Sequence, residues 1–226
     1  MPNKPTKRDR REASKQARIE AEQRAKKQRR MRFLYGFIGA GLVIALIVAL
    51  VLFSGSSTKI DLVGLNRAAT AAGCTALQSV PDQGHLHINP PATFNYNSNP
   101  PTSGSHYNIP GTAPAPTGVY QTPIQNEIQV HNLEHGHIGI QYSTDISADV
   151  RDALESFTRN HDVWVFMAPR QLDPGVQLAF TRWDNKVTCA SPTNASTVVA
   201  FAKAFYDDFH GDGPEGALPG TPKSGG

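Results

Sequence analysis

Residues 162–189 read DVWVFMAPRQLDPGVQLAFTRWDNKVTC. Residues 162–169 and 176–189 are rich in β-branched and aromatic residues, which favour strands. Asp173, Pro174 and Gly175 lie between them and are typical of a turn. The stretch therefore predicts two strands joined by a turn.

Helical patterns flank these strands. Residues 147–161, SADVRDALESFTRNH, carry apolar residues at helical spacing after Ser147, whose hydroxyl suits an N-cap. Residues 194–209, NASTVVAFAKAFYDDF, predict a last helix. Near the other end of the domain, residues 62–74, LVGLNRAATAAGC, predict a short helix that ends near Gly73.

The segment between the helix predicted at residues 62–74 and the one predicted at residues 147–161 is less regular. Residues 127–142, EIQVHNLEHGHIGIQY, have β-branched residues on each side of Gly136 and predict a strand, a turn and a second strand. Residues 75–125 are rich in Pro, Gly, Asn, Ser and Thr, which predicts turns and extended segments. Because helices and strands follow one another without a regular βαβ repeat, we expect an α+β domain with a mixed or antiparallel sheet and a Pro/Gly-rich loop region.

An uncharged apolar run, FLYGFIGAGLVIALIVALVLF at residues 33–53, precedes this domain. As a helix it can cross a bilayer core of about 30 Å, and it is longer than the roughly 7–15 apolar residues of the alternative, a cleaved signal peptide. Residues 1–32 hold 13 Lys and Arg against 4 Asp and Glu, whereas residues 54–226 hold 9 against 15. By the positive-inside rule, this asymmetry places the amino terminus in the cytoplasm and the domain outside the cell membrane.

The predicted organisation is a single-pass membrane protein, with the lipid membrane as its first expected partner. Its segments are a basic cytoplasmic tail at residues 1–32, a transmembrane helix at 33–53, a juxtamembrane segment at 54–73, an extracytoplasmic α+β domain at 74–210 and a flexible tail at 211–226. The basic tail has no interleaved aromatic residues, which argues against nucleic-acid binding.

Cys74 and Cys189 are the only cysteines. Both lie in the part of the chain predicted to be outside, where oxidising conditions preserve disulfides. We therefore expect them to pair with each other. The alternative is that their thiolates bind a metal.

Histidines concentrate in one part of the chain. Six of the eight lie between residues 85 and 137: His85, His87, His106, His131, His135 and His137. Imidazoles beside a carboxylate are natural ligands for Zn²⁺ and Cu²⁺, so this density predicts a metal site. A buried hydrogen-bonded network is the alternative for the same side chains.

The segment His131-Asn-Leu-Glu134-His135 matches the H-x-x-E-H pattern of inverted zinc peptidases. In a helix, His131 and His135 would share one face and Glu134 could act as general base. In the extended conformation that the flanking residues favour, the histidines could share a face while Glu134 points away. Imidazoles can converge in either case, but only a helix supports the peptidase role.

Residues 99–107, NPPTSGSHY, form a second piece of the expected site. Pro100 and Pro101 restrict the backbone, and Gly104 permits a sharp turn just before His106. Such a loop can hold one ligand still. We therefore expect His106 to converge on the histidines of the H-x-x-E-H segment.

At these two pieces the chain resembles the bacterial family called domain of unknown function 3105. Members carry a PPTSG-x-H motif followed by a V-H-x-L-E-H-G motif, which stand here as PPTSGSH and VHNLEHG. Upstream, HLHINPPATFNYNSN is similar to the family's histidine and tyrosine, at His87 and Tyr96. The resemblance covers roughly residues 57–210. It implies no activity, because none is established for the family.

The resemblance marks four residues as motif positions, His106, His131, Glu134 and His135. Together these observations favour a metal-binding domain without established catalysis, in which His87 or Glu134 completes a set of ligands around zinc or copper. A metal-dependent hydrolase with Glu134 as general base is one alternative. The other is a module with a structural His/Glu network that binds an envelope protein partner.

Overall fold

The computed structural model describes residues 60–192 and 194–223 of the chain. The predicted cytoplasmic tail and the apolar run at residues 33–53 lie outside these residues, so the membrane topology stays a prediction. Among the helices of the described part, none is long and apolar enough to cross a membrane.

The described residues form four helices and eight strands. The helices are α1 (Leu62–Ala71), α2 (Asn126–Glu134), α3 (Ala148–Asn160) and α4 (Ala195–Phe209). The strands are β1 (Gln78–Ser79), β2 (His87–Ile88), β3 (His106–Tyr107), β4 (Gly118–Val119), β5 (Ile138–Tyr142), β6 (Val165–Pro169), β7 (Leu178–Arg182) and β8 (Asn185–Cys189).

Six strands form one sheet in the order β1-β8-β7-β5-β6-β4. Strand β6 pairs parallel with β4 and β5, whereas β5, β7, β8 and β1 pair antiparallel in succession. Strands β2 and β3 form a separate parallel pair. The fold is therefore α+β with a mixed sheet, as expected from the sequence.

Both faces of the sheet are covered. In β6, Val165 and Met167 join a core that includes side chains of α1, α3 and α4, whereas Phe166 and Ala168 pack with side chains of α2. Alternate residues of a strand point to opposite faces. Because both faces are buried, this segment is apolar at nearly every position, without the alternation of a half-exposed strand.

The two helices expected at residues 147–161 and 194–209 are present as α3 and α4, and each begins after a capping side chain. The Ser147 hydroxyl accepts a hydrogen bond from the Val150 N–H at the start of α3, and the Asn194 side chain accepts one from the Thr197 N–H at the start of α4. Such caps satisfy backbone donors that the first turn of a helix leaves free.

The expected disulfide is present. Cys74 follows α1, Cys189 ends β8, and their sulfur atoms are 2.05 Å apart. Helix α1 lies in the segment assigned as juxtamembrane, yet its buried residues Leu65 and Ala69 belong to the main core. The disulfide thus fastens this helix to the sheet.

Residues 176–189 form two strands rather than the single strand that the sequence predicts. Strands β7 and β8 pair in an antiparallel hairpin that closes with Arg182 opposite Asn185. Asp184 in the turn has a φ of 58°, a left-handed conformation that Asp tolerates better than most residues. The Trp183-Asp184 turn interrupts an otherwise strand-like run.

The strand predicted at the start of residues 127–142 is also wrong, because α2 occupies this position. A surface helix is recognised by one apolar face, but α2 is surrounded on nearly all sides. Its buried residues are Glu127, Gln129, Val130, His131, Asn132, Leu133 and Glu134. Their polar partners come from distant parts of the chain, so no helical pattern marks α2.

The carboxy-terminal segment packs against the domain, although the sequence predicts a flexible tail. We call residues 211–223 the C-terminal strap. The Gly211 N–H donates to the Gly136 carbonyl at 2.9 Å, and the Lys223 N–H donates to the Thr117 carbonyl at 2.8 Å. The strap therefore crosses the carboxyl end of α2 and continues to the strand at the edge of the sheet.

Candidate metal site

The pairing of two short strands brings the first two histidines together. His87 of β2 lies opposite His106 of β3 in the parallel register, and their ring centroids are 5.0 Å apart. Helix α2 packs against β3. It supplies His131, whose ring centroid lies 5.1 Å from that of His106 and 5.3 Å from that of His87.

Glu134 lies on the next turn of α2 and points into the same space. Its Oε2 atom is 2.9 Å from His106 Nε2 and 3.4 Å from His87 Nε2. We call His87, His106, His131 and Glu134 the His/Glu cluster. Each can offer one ligand atom, and these four atoms all lie within 4.8 Å of one another.

These separations suit a small metal ion. Bonds of about 2.0–2.1 Å in a tetrahedral zinc site place neighbouring ligand atoms about 3.3 Å apart. The cluster needs only small shifts of its side chains to reach that spacing. A buried His/Glu group that could hold a metal ion is therefore present where the two sequence motifs meet.

Backbone carbonyls orient two of the imidazoles. His106 Nδ1 lies 2.8 Å from the Gly104 carbonyl oxygen, and His131 Nδ1 lies 2.6 Å from the Tyr107 carbonyl oxygen. A carbonyl oxygen only accepts, so each Nδ1 carries the proton. In the neutral imidazole, Nε2 then presents its lone pair to the cluster, which is the arrangement of most metal-binding histidines.

These tautomers determine where the protons lie in two close contacts of the cluster. His106 Nε2 faces the Glu134 carboxylate, and two lone pairs at this separation require a cation between them, either a proton or a metal ion. His131 Nε2 lies 3.0 Å from His135 Nε2, so His135 must donate to it in the metal-free protein. His135 Nδ1 is then a buried acceptor that no described residue supplies with a hydrogen bond.

The protonation states suit metal binding near neutral pH. Burial lowers the pKa of His131 to about 4, and the neighbouring His106 and His135 act in the same direction. Burial disfavours ionisation of Glu134, but hydrogen bonding and charge interaction with His106 outweigh it and lower the pKa of this carboxyl. A neutral imidazole and an ionised carboxylate are the forms that bind metals.

Three members of the His/Glu cluster are shielded from solvent. His106, His131 and Glu134 are buried, whereas the His87 side chain is 37% exposed. The Asn108 side-chain amide lies 3.4 Å from His87 Nδ1 on this open side. The cluster thus consists of three buried side chains and one, His87, that is partly exposed to solvent.

The structure brings together four of the five residues predicted as metal ligands. His135 caps the carboxyl end of α2 and contacts His131, but it does not belong to the group of four. His137 has a different set of partners, with Nδ1 2.8 Å from Asn132 Nδ2 and Nε2 2.8 Å from the Leu218 carbonyl oxygen. It fixes the C-terminal strap.

His85 belongs to the histidine-rich part of the sequence but not to the motifs, so it was not among the five predicted ligands. Its Nδ1 lies 3.5 Å from Glu134 Oε1. The signal was its spacing from His87, because residues two apart in an extended segment point to the same side. The helical state of residues 131–135 also had a signal. Gly136 has a φ of 81°, and its N–H and that of His137 close the end of α2 in the pattern of a Schellman motif.

Comparison with known proteins adds one assignment. No curated protein and no solved structure matches this chain. The family model described as protein of unknown function (DUF3105) matches residues 87–220, which contain the whole His/Glu cluster. This match spans more than half of the 226 residues, and the chain therefore belongs to that family.

Proposed function

We propose that this protein is a membrane-anchored metal-binding protein whose His/Glu cluster binds a divalent transition metal ion outside the cell membrane. The observation that carries the proposal is the convergence of three imidazoles and one carboxylate within 4.8 Å. Imidazole nitrogen and carboxylate oxygen are standard ligands for zinc, and imidazole also suits copper. The carbonyl partners of His106 and His131 support the same role, because they turn Nε2 inward.

Two features support the location. The basic segment at residues 1–32 adjoins the apolar run at residues 33–53, which is the charge pattern of a membrane anchor with a cytoplasmic amino terminus. The Cys74–Cys189 disulfide suits an oxidising compartment on the other side. Cysteine labelling of the full-length protein in intact cells tests this part, and a carboxy terminus on the cytoplasmic side would contradict it.

Metal analysis of the purified full-length protein tests the binding. After chelator treatment and dialysis against Zn²⁺ or Cu²⁺, we expect at least one tightly held ion per chain. His106→Ala and His131→Ala should lose it, whereas His210→Ala, a change at an exposed histidine outside the cluster, should retain it. Absence of tight binding to the wild-type protein would contradict the proposal.

A structural network is the second candidate function, in a module that binds another envelope protein. The observation that favours it is the direct 2.9 Å contact between two fully buried groups, His106 and Glu134. A protonated His106 would satisfy this carboxylate without a metal. On this alternative, the same substitutions unfold the domain, and chelation leaves the melting temperature unchanged.

Hydrolysis is less well supported, even though α2 provides the helix that the peptidase pattern requires. In that mechanism the two histidines of H-x-x-E-H bind the metal and the glutamate activates water. Here Glu134 itself belongs to the group of converging ligands, and His135 does not. The arrangement therefore favours Glu134 as a ligand over Glu134 as a general base.

A further inference from the structure

The two carboxylate oxygens of Glu134 have different surroundings. Oε2 faces His87 and His106 in the His/Glu cluster. Oε1 points away from them and is buried, and none of the described residues donates a hydrogen bond to it. A buried carboxylate oxygen without a hydrogen bond is unfavourable, so a cation beside this atom would stabilise it.

Two ionisable side chains reach the region of Oε1. His85 extends from the segment that leads into β2, and its Nδ1 lies 3.5 Å from Glu134 Oε1 and 4.0 Å from Glu215 Oε1. Ligand atoms from His85, Glu134 and Glu215 all lie within 4.8 Å of one another. This group is distinct from the cluster, with which it shares only Glu134.

The backbone holds Glu215 in this position. Its N–H lies 3.3 Å from the Glu134 carbonyl oxygen, which accepts the hydrogen bond. Two residues earlier, a side chain at Gly213 would overlap that same carbonyl group, so the absence of Cβ lets the C-terminal strap press against the end of α2. The carboxylate of Glu215 is thereby placed beside His85.

We propose that His85, Glu134 Oε1 and Glu215 form a second divalent-cation site, in which Glu134 bridges this ion to the one in the His/Glu cluster. The inference rests on the proposed function, because the bridge requires an ion on Oε2. Carboxylates bridge metal ions about 3.5–4 Å apart in two-metal proteins. Imidazole and two carboxylates suit Zn²⁺ at the second position as well.

The second site binds more weakly than the first for two reasons. The side chains of His85 and Glu215 are 61% and 40% exposed, so binding must restrict the rotamers of two side chains that face solvent. The second reason is that the first ion repels the second. The negative charge of Glu215 offsets only part of this repulsion. An ion at the second site has coordination positions on its solvent side that a small anion or water can occupy.

The test is the stoichiometry of Zn²⁺ binding by the full-length protein in equilibrium dialysis with metal analysis. Wild type should bind two ions per chain in a tight and a weaker step. The double variant His85→Ala/Glu215→Gln should lose the weaker step and keep the tight one. Both altered residues are exposed, and a melting curve of the chelated protein checks that the fold is retained.

The double variant His210→Ala/Glu155→Gln is the matched control, because it makes the same changes away from both sites. It should bind two ions. A single ion in the wild type, or a second ion that persists in His85→Ala/Glu215→Gln or disappears in the control, would overturn the second site while leaving the proposed function intact. No bound ion in the wild type would overturn both.

Discussion

His106 Nε2 lies 2.9 Å from Glu134 Oε2, and both side chains are fully buried. The two residues come from different motifs, one from the Pro-rich loop and one from the end of α2. His106 donates its Nδ1–H to the Gly104 carbonyl, so its Nε2 and the carboxylate leave a place for one cation between them. That cation is a proton in the metal-free protein and a metal ion in the metal-bound protein.

Glu134→Gln keeps the shape of this side chain and removes its charge. We expect tight Zn²⁺ affinity to fall by more than about 100-fold, because loss of a partner that only orients a ligand already costs about 10–100-fold. Competition with a chromophoric chelator measures the change. Glu155→Gln, the same change on α3 outside the His/Glu cluster, is the control. Unchanged affinity in Glu134→Gln would exclude this carboxylate as a ligand.

Metal removal should lower the melting temperature. A ligand that binds only the folded state stabilises it by about 2.7 kcal/mol when its concentration is 100 times its Kd. For a domain of this size that corresponds to roughly 5–10 °C. Calorimetry of the full-length protein with Zn²⁺ and with excess chelator measures the shift, and identical curves would favour the purely structural network.

The metal-free protein should lose stability as the pH falls from about 6.5 to about 4. Burial lowers the folded-state pKa of both His131 and His137 to about 4, so in this window the unfolded chain binds more protons than the folded one. Each histidine contributes a slope of at most about 1.4 kcal/mol per pH unit, and the loss stops below the folded pKa.

Urea unfolding of the chelated protein across this pH range measures the slope. His137→Gln should reduce it by about half, because one of the two buried titrating groups is removed. The quantity compared is the change in the free energy of unfolding per pH unit. The variant also lowers the free energy of unfolding itself, but that loss does not enter the comparison. An unchanged slope in His137→Gln would show that this histidine does not titrate as its burial implies.

Gly136→Ala tests the junction between α2 and the C-terminal strap. Gly136 and Gly175 both have a φ of 81°, so alanine costs about 1–2 kcal/mol in backbone conformation at either position. At Gly136 the added Cβ would also lie 2.6 Å from the Gly211 carbonyl carbon, whereas at Gly175 it would meet nothing within 4 Å. Overpacking should add about 1–3 kcal/mol at Gly136 alone.

The free energy of unfolding of both alanine variants, measured by urea denaturation, gives the comparison. Gly175→Ala serves as the control for the backbone term. Equal destabilisation of the two variants would mean that the strap moves aside freely, in which case it does not hold Glu215 in place.

Sequence by itself determined the parts of this protein that depend on near neighbours. Ser147 identified the start of α3, because a capping side chain acts within three residues of its own position. Because Cys74 and Cys189 are the only cysteines, the sequence allowed only one disulfide within the chain. The two motifs gave four residues that the structure brings together, His106, His131 and Glu134 in the cluster and His135 against His131.

Only the tertiary structure decided the rest, because the deciding partners are distant in the chain. Helix α2 buries polar residues whose hydrogen-bond partners lie in other segments. The Asn132 side chain, for example, forms hydrogen bonds with the backbone of Ala115. The sequence of α2 therefore lacks the apolar face that would predict a helix. His85 and Glu215 meet at Glu134 only because β2 pairs with β3 and the strap folds back over α2. The spacing of His85 from His87 indicates only that the two side chains point to the same side, and nothing in the sequence places Glu215, about 80 residues from Glu134, beside them.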